Sequence, residues 1–201
     1  MKIKAAKTAP ITAIDDVLAV SKYLRSNYRN GALYGLVWAI GCNTGMRVGD
    51  ILNLKIADVA DKQYLTITES KTGKYREILI NQALRQALND PVIKLHLLLA
   101  DPQRPLIYSQ KHGLMQNKAI HKVIKQASRA LGLEGNFGTH TMRKTFAHHM
   151  YQVTGNFTLV QTLLNHRDTR VTKMYLPDAD PSRDDFVACE AKDAYGLIRL
   201  G

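Results

Sequence analysis

The chain lacks any apolar run approaching the roughly 20 residues that a membrane-spanning helix needs. Its longest candidates, around Leu36–Ile40 and Leu95–Ala100, fall far short. Met1-Lys2-Ile3-Lys4 is basic, but no apolar stretch follows it as in a secretory signal. Cysteine is almost missing: Cys42 and Cys189 are the only two in 201 residues. Two distant thiols make neither a disulfide framework nor a CxxC metal pair, and a reducing cytoplasm is the simplest setting for them. No P-loop, GxGxxG, HExxH or GxSxG motif is present, which removes the commonest nucleotide, zinc-protease and serine-hydrolase signatures. His148-His149 lacks the cysteine or carboxylate company that zinc spacing requires. There is no internal repeat and no low-complexity stretch. Acidic residues are also scarce, at 17 against 28 Lys plus Arg, a net charge of +11. That excess points to a polyanionic partner, because each neutralised phosphate releases counterions. The plainer alternative is a basic surface that aids solubility.

The hydrophobic pattern predicts a mainly α protein with one small antiparallel β-sheet, an α+β class. Thr12 with Asp15 reads as a capping box, followed by an apolar stripe of Ile14, Val17, Leu18, Ser21 and Leu24. A second helix spans about Ala32 to Cys42 and is broken by Thr44-Gly45. A short amphipathic helix then carries Met46, Arg47, Asp50, Ile51 and Leu54. The period changes to two in Tyr64–Glu69 and again in Arg76–Ile80. The polar link Ser70-Lys71-Thr72-Gly73-Lys74 between them predicts a hairpin with lysines at its tip. Helices return after Asn81, and Pro91, Pro102 and Pro105 punctuate a mixed stretch. Asn117 is a candidate cap for a helix with stripe Ile120, Val123, Ile124, Ala127 and Leu131, ending at Gly132. Thr139 is the candidate cap of the next, which runs to Gly155. Short helices follow over Leu159–Leu164 and Thr169–Leu176. Ser182 and Asp185 suggest the start of a last helix reaching about Ile198, with Phe186, Val187 and Tyr195 as further apolar anchors.

One constellation carries chemistry. It begins in Asn43-Thr44-Gly45-Met46-Arg47-Val48-Gly49-Asp50-Ile51-Leu52 and continues at Lys71. It resumes in Gly138-Thr139-His140-Thr141-Met142-Arg143 and ends with Leu163-Leu164-Asn165-His166 and Tyr175. Each piece alone is weak, since HxxR is frequent by chance. In this order, from about Ala13 to Leu176, they resemble the catalytic domain of the tyrosine recombinases, the phage integrase family. That pattern is TGxRxxE/D-L, a hairpin lysine, HxxR at a helix start, LLGH and a tyrosine soon after. Asn165 departs from the usual glycine, but asparagine tolerates the left-handed conformation that ends a helix.

The resemblance implies a site-specific DNA recombinase that cleaves and religates strands through a 3′-phosphotyrosyl intermediate. It implies Tyr175 as nucleophile, Arg47 and Arg143 as a clamp on the scissile phosphate, and His140 as proton acceptor. It further implies Lys71 as general acid, His166 as hydrogen-bond donor to a non-bridging oxygen, and Asp50 as a supporting residue. No metal or cofactor is implied. The physics agrees. Phosphoryl transfer builds charge on the non-bridging oxygens, which paired guanidiniums can bind bidentately. His140 and Arg143, three apart, share one helix face, and a helix start offers N–H groups to an anion. A tyrosine of pKa about 10 is only about 0.1% ionised at pH 7, so it needs such help. The phosphotyrosyl bond conserves the energy of the broken linkage, so religation needs no ATP.

Alternatives stay beside these assignments. A tyrosine on a short helix is ordinarily a core aromatic; Tyr151 and Tyr195 are the rival nucleophiles, but neither follows the Leu163–His166 segment closely. Lys74 shares the turn with Lys71. The expected organisation is a lead-in over 1–11, a catalytic domain over 12–177 and a helical tail over 178–201, which packs either on its own domain or on a neighbouring subunit. Many family members carry a separate N-terminal DNA-clamping domain, whereas here the catalytic pattern begins almost at Met1; the expectation is either a naturally short recombinase or an excised fragment. Expected partners are double-stranded DNA, further copies of the chain as a dimer or tetramer, and accessory DNA-bending proteins, with no membrane. The expected location is the cytoplasm, at the nucleoid or in a phage-infected cell. A DNA-binding module without catalysis and a type IB topoisomerase-like enzyme are the rival functions.

Overall fold

The structure is a computed structural model that describes residues 8–109, 113–182, 193–198 and 200. Its elements in chain order begin with α1 (Ile14–Ser26), α2 (Gly31–Thr44) and α3 (Val48–Leu52). A hairpin of β1 (Tyr64–Thr68) and β2 (Tyr75–Leu79) follows. Then come α4 (Gln82–Leu88), α5 (Pro91–Leu99) and a two-residue pair, β3 (Tyr108–Ser109) with β4 (Gly113–Leu114). The last helices are α6 (Asn117–Ala130), α7 (Thr139–Thr154), α8 (Phe157–Leu163) and α9 (Thr169–Lys173), and a 3-10 turn spans Ala194–Leu197. The fold is mainly helical with a small antiparallel sheet, as the periodicity predicts. The β3–β4 pair is too short to leave a period-two signature.

Helix α2 is the centre. From Leu36 to Thr44 every residue is buried, as expected of a helix that is apolar all round. It packs against α1, α4 and α7. Gly41 allows the close approach of α7, since a Cβ there would stand 2.5 Å from Met142 Sδ. Trp38, wholly buried, donates from Nε1 to the Val17 carbonyl at 3.1 Å and so fixes α1 on α2. The N-terminal approach is tied to α7. Ile11 N–H donates to Thr145 Oγ1 at 2.9 Å, and Ile11 O lies 3.1 Å from His149 Nε2.

Several local expectations change. Ala13, not Thr12, precedes α1, and no side chain caps it. Ile14 and Leu18 are 51% and 43% exposed, because the buried face of α1 is Val17, Val20, Ser21 and Leu24. Asn117 and Thr139 are the first residues of their helices rather than caps, with Gln116 and Gly138 before them. Ser182 N–H is already engaged by Asp180 Oδ1 at 2.9 Å. Asp185, Phe186, Val187 and Cys189 lie outside the described residues. Where the chain is described again, Ala194–Leu197 is a 3-10 turn and not an α-helix, and Tyr195, Ile198 and Leu200 are buried on the chain's own core.

Candidate active site

The turn between α2 and α3 builds the first half of the site. Gly45 ends α2 in the left-handed conformation at φ 61°, where a Cβ would stand 2.6 Å from Phe146 Cδ1. Its carbonyl accepts from Arg143 Nη1, and the Leu164 carbonyl accepts from Arg143 Nη2. Arg143 is 1% exposed, and its Nε has no hydrogen-bond partner among the described residues. Burial, and then the charge of Arg47, pull its pKa down to about 10, so it remains a cation at neutral pH. Among the described residues no carboxylate forms an ion pair with it. A buried cation held by neutral acceptors has strong residual affinity for an anion.

Arg47 stands at the N-terminal edge of α3 in extended backbone. Its carboxylate partner is Glu69, at 2.7 Å, rather than Asp50 on its own helix. Asp50 turns to the hairpin, where its Oδ1 accepts from Ser70 N at 2.9 Å and Ser70 Oγ at 2.7 Å. Asp50 Oδ2 is buried without a partner among the described residues. These bonds bring the hairpin tip to a cleft of about 330 Å³ lined by Arg47, Asp50, Lys71, Asn117, His140 and Arg143 among others. Lys71 lines this cleft and Lys74 does not.

His140 sits in the first turn of α7, exposed at the cleft. Partial burial, then the charges of Arg143, Lys144, Arg47 and Lys71, hold its pKa below the ordinary imidazole value, so it is neutral at pH 7. His166 follows α8 by way of Asn165, whose φ of 57° is the left-handed conformation anticipated from its side chain. His166 Nε2 lies 3.2 Å from Arg143 Nη2, and Nδ1 lies 3.1 Å from Thr172 Oγ1. A guanidinium can only donate, so Nε2 accepts and the ring proton sits on Nδ1, donated to Thr172. Burial first, then Arg143 and Arg47, depress its pKa to about 3. In this tautomer Nε2 orients Arg143; donation to a phosphate oxygen requires the proton to move to Nε2.

Tyr175 follows α9, with its N–H bonded to Thr172 O at 2.9 Å. Its ring meets the His166 ring edge-on at 5.1 Å and 63°, and Lys144 Nζ stands 5.5 Å from its centroid. It interacts electrostatically with Arg143. It does not line the cleft of the arginines. It lines an adjoining cavity of about 700 Å³ with Lys144, His148, Tyr151 and Pro177. The two rival tyrosines lie elsewhere: Tyr195 is buried with its hydroxyl between Arg76 and the Leu163 carbonyl, and Tyr151 OH accepts from Asp180 N–H at 3.2 Å.

The residues missed by sequence reasoning are Glu69, Arg76 and Thr172. Glu69 reads as the end of an alternating strand and Arg76 as a polar position of the next, yet both are buried. Among the described residues no group of three or more His, Cys, Asp or Glu side chains is placed to hold a metal ion.

A helical domain that gathers two arginines, two histidines and a hairpin lysine in the neighbourhood of a tyrosine defines the class of tyrosine recombinase catalytic domains. The chain belongs to the phage integrase family, whose model matches residues 13–181. A probable integrase/recombinase of Bacillus subtilis, YoeC, is 34% identical over 178 residues, covering 87% of this chain and 92% of that protein. The fold is shared with XerH site-specific recombinase, solved bound to palindromic difH substrate as a post-cleavage complex. There the TM-score is 0.70 at 23% identity, over 88% of this chain and 51% of that one. It is shared also with the lambda integrase tetramer solved on a Holliday junction, with a TM-score of 0.65 at 22% identity, over 94% of this chain and 52% of that one. The chain spans about half the length of these and of the XerC and XerD recombinases that it matches.

Proposed function

We propose that this chain is a site-specific DNA recombinase that breaks and rejoins strands through Tyr175. The observation that carries the reading is Arg143, a buried cation without a carboxylate partner among the described residues, hydrogen-bonded to His166 and facing a cleft shared with Arg47. A phosphodiester between the two guanidiniums supplies the missing counter-charge, and the added charge of the pentacovalent transition state is bound more tightly still. The Tyr175 oxygen attacks phosphorus and its proton passes to neutral His140. The bond to the 5′ oxygen breaks as Lys71 protonates it, leaving a 3′-phosphotyrosyl link and a 5′-hydroxyl. The phosphate's charge draws the His166 proton to Nε2, which then donates to a non-bridging oxygen. Attack by a 5′-hydroxyl of a second strand reverses these steps.

The edge-on contact of the Tyr175 ring with His166 and its electrostatic interaction with Arg143 support this role. DNA is the partner that the +11 charge favours. Strand exchange needs copies on paired sites, and the dimers and tetramers seen for structural relatives support such an assembly. The test is a nicked suicide duplex carrying an inverted repeat taken from DNA that flanks the coding region. The reading predicts a covalent adduct that survives SDS and is lost in Tyr175→Phe. Adduct formation by Tyr175→Phe, or relaxation of any supercoiled plasmid regardless of sequence, would contradict it.

A further inference from the structure

Arg47 projects from the edge of a five-residue helix, and nothing in α3 itself holds its guanidinium. It carries a long side chain whose free rotamers cost about 2 kcal/mol to fix. It also stands near Arg143, a like charge, close enough to disfavour the proton of Arg143. Left alone, the two would splay.

Glu69, with a side chain 0% exposed, is the counterweight. Its Oε2 accepts from Arg47 Nη1 at 2.7 Å and from Thr72 Oγ1 at 2.8 Å. Its Oε1 accepts from Arg76 Nη1 at 2.9 Å. Arg76 is anchored in turn, since its Nη2 donates to Thr44 O at 2.9 Å and to Tyr195 Oη at 2.8 Å. Tyr195 Oη in turn donates a hydrogen bond to Leu163 O at 3.2 Å. The backbone of Glu69 also closes the turn that bears Lys71, pairing with Lys74 O at 2.9 Å and Gly73 N at 2.8 Å. One buried carboxylate thus fixes the aim of Arg47 and the base of the lysine turn together. Asp50 is directed elsewhere, since its Oδ1 accepts twice from Ser70 and its ion pair with Arg47 is not made.

We propose that Glu69 is a positioning residue for Arg47, locked by the relay through Arg76 to Tyr195, so that a carboxylate in the hairpin and the C-terminal segment set the register of the arginine clamp. This rests on the recombinase reading for its catalytic consequence, but not for its geometry.

Charge and position pull in opposite directions here. Glu69→Gln removes a negative charge from the site, so Coulomb attraction alone would bind DNA more tightly. Loss of aim would instead slow the chemistry, by about a hundredfold for a displacement near 1 Å. Tyr195→Phe keeps the ring and removes the hydroxyl that holds Arg76 and donates to Leu163 O, with an expected loss of about three- to tenfold. The experiment uses the full chain. Side-chain nitrogen relaxation of the Arg47 guanidinium, assigned with Arg47→Lys, reports its order. Single-turnover adduct formation on the suicide duplex, with DNA affinity measured in parallel, reports its use. Supporting results are loss of Arg47 order in Glu69→Gln and Tyr195→Phe, with slower adduct formation at equal or tighter DNA binding. If Glu69→Gln does not fold, Tyr195→Phe decides alone. Arg47 equally ordered in wild type and folded variants overturns the inference, as does a rate that falls only in proportion to DNA affinity. If the wild type forms no adduct, the recombinase reading fails, and Arg47 order alone judges the relay.

Discussion

The motif residues could be read from sequence because each is chemically specific, whereas their partners could not. Arg143 and His166 announce themselves by spacing, but the carbonyls of Gly45 and Leu164 that hold Arg143 are anonymous in any sequence. Glu69 was hidden for another reason: its burial comes from two arginines folded over it, which strand periodicity cannot show. Gly45→Ala should destabilise the chain by about 2–4 kcal/mol in urea unfolding, combining positive-φ strain with overpacking against Phe146. Asn165→Gly, which frees the same kind of left-handed position and removes a buried unpartnered Nδ2, should be neutral or stabilising in the same assay. The depressed pKa values give a pH signature. Glu69 is held at about 2 by its hydrogen bonds to Arg47, Thr72 and Arg76 and the charge of Arg76, against the opposing effect of burial, and His166 lies at about 3. Both folded values lie below the ordinary ones of 4.5 and 6.5, so the unfolded chain binds more protons. Stability is full above pH 6.5 and falls progressively toward pH 2. Read as unfolding free energy against pH, His166→Gln should reduce, but not abolish, the loss between about pH 6.5 and 4.5, since burial also lowers the pKa values of His140, His148 and His149.

At the scale of elements, α2, α7 and the β1–β2 hairpin were legible because their apolar periods are long and their ends are marked by glycine or a polar link. The boundaries of α1 and α6 were less so, because a threonine or asparagine near a helix start marks the region and not the residue. The hairpin matters beyond its strands. Its tip is tied to α3 by Asp50 and to Arg47 by Glu69, so Lys71 reaches the cleft on a braced turn. Asp50→Ala should unpin Ser70 and slow adduct formation by about tenfold, the range of a lost charged hydrogen bond, while DNA affinity stays unchanged or rises. Equal rates for Asp50→Ala and wild type in single-turnover cleavage would separate the hairpin tip from the chemistry.

At the scale of the whole molecule, the described residues of the C-terminal segment pack on the chain's own core. Asn43 pairs with both backbone groups of Leu200, while Asn81 caps α4 and donates to the carbonyls of Tyr195 and Ile198. Asn81→Ala should therefore cost about 2–4 kcal/mol of stability, from a lost cap and orphaned buried carbonyls, measured by chemical denaturation. Sequence alone could not choose between self-packing and exchange of this segment, because the same apolar residues serve either. The account as a whole rests on Tyr175 meeting a phosphate gripped by Arg47 and Arg143. Its most direct test is peptide mass spectrometry of the SDS-stable adduct after nuclease and protease digestion. The account predicts a 3′-nucleotide phosphate on the peptide containing Tyr175; a phosphate on Tyr151 or Tyr195, or on no tyrosine, would contradict it.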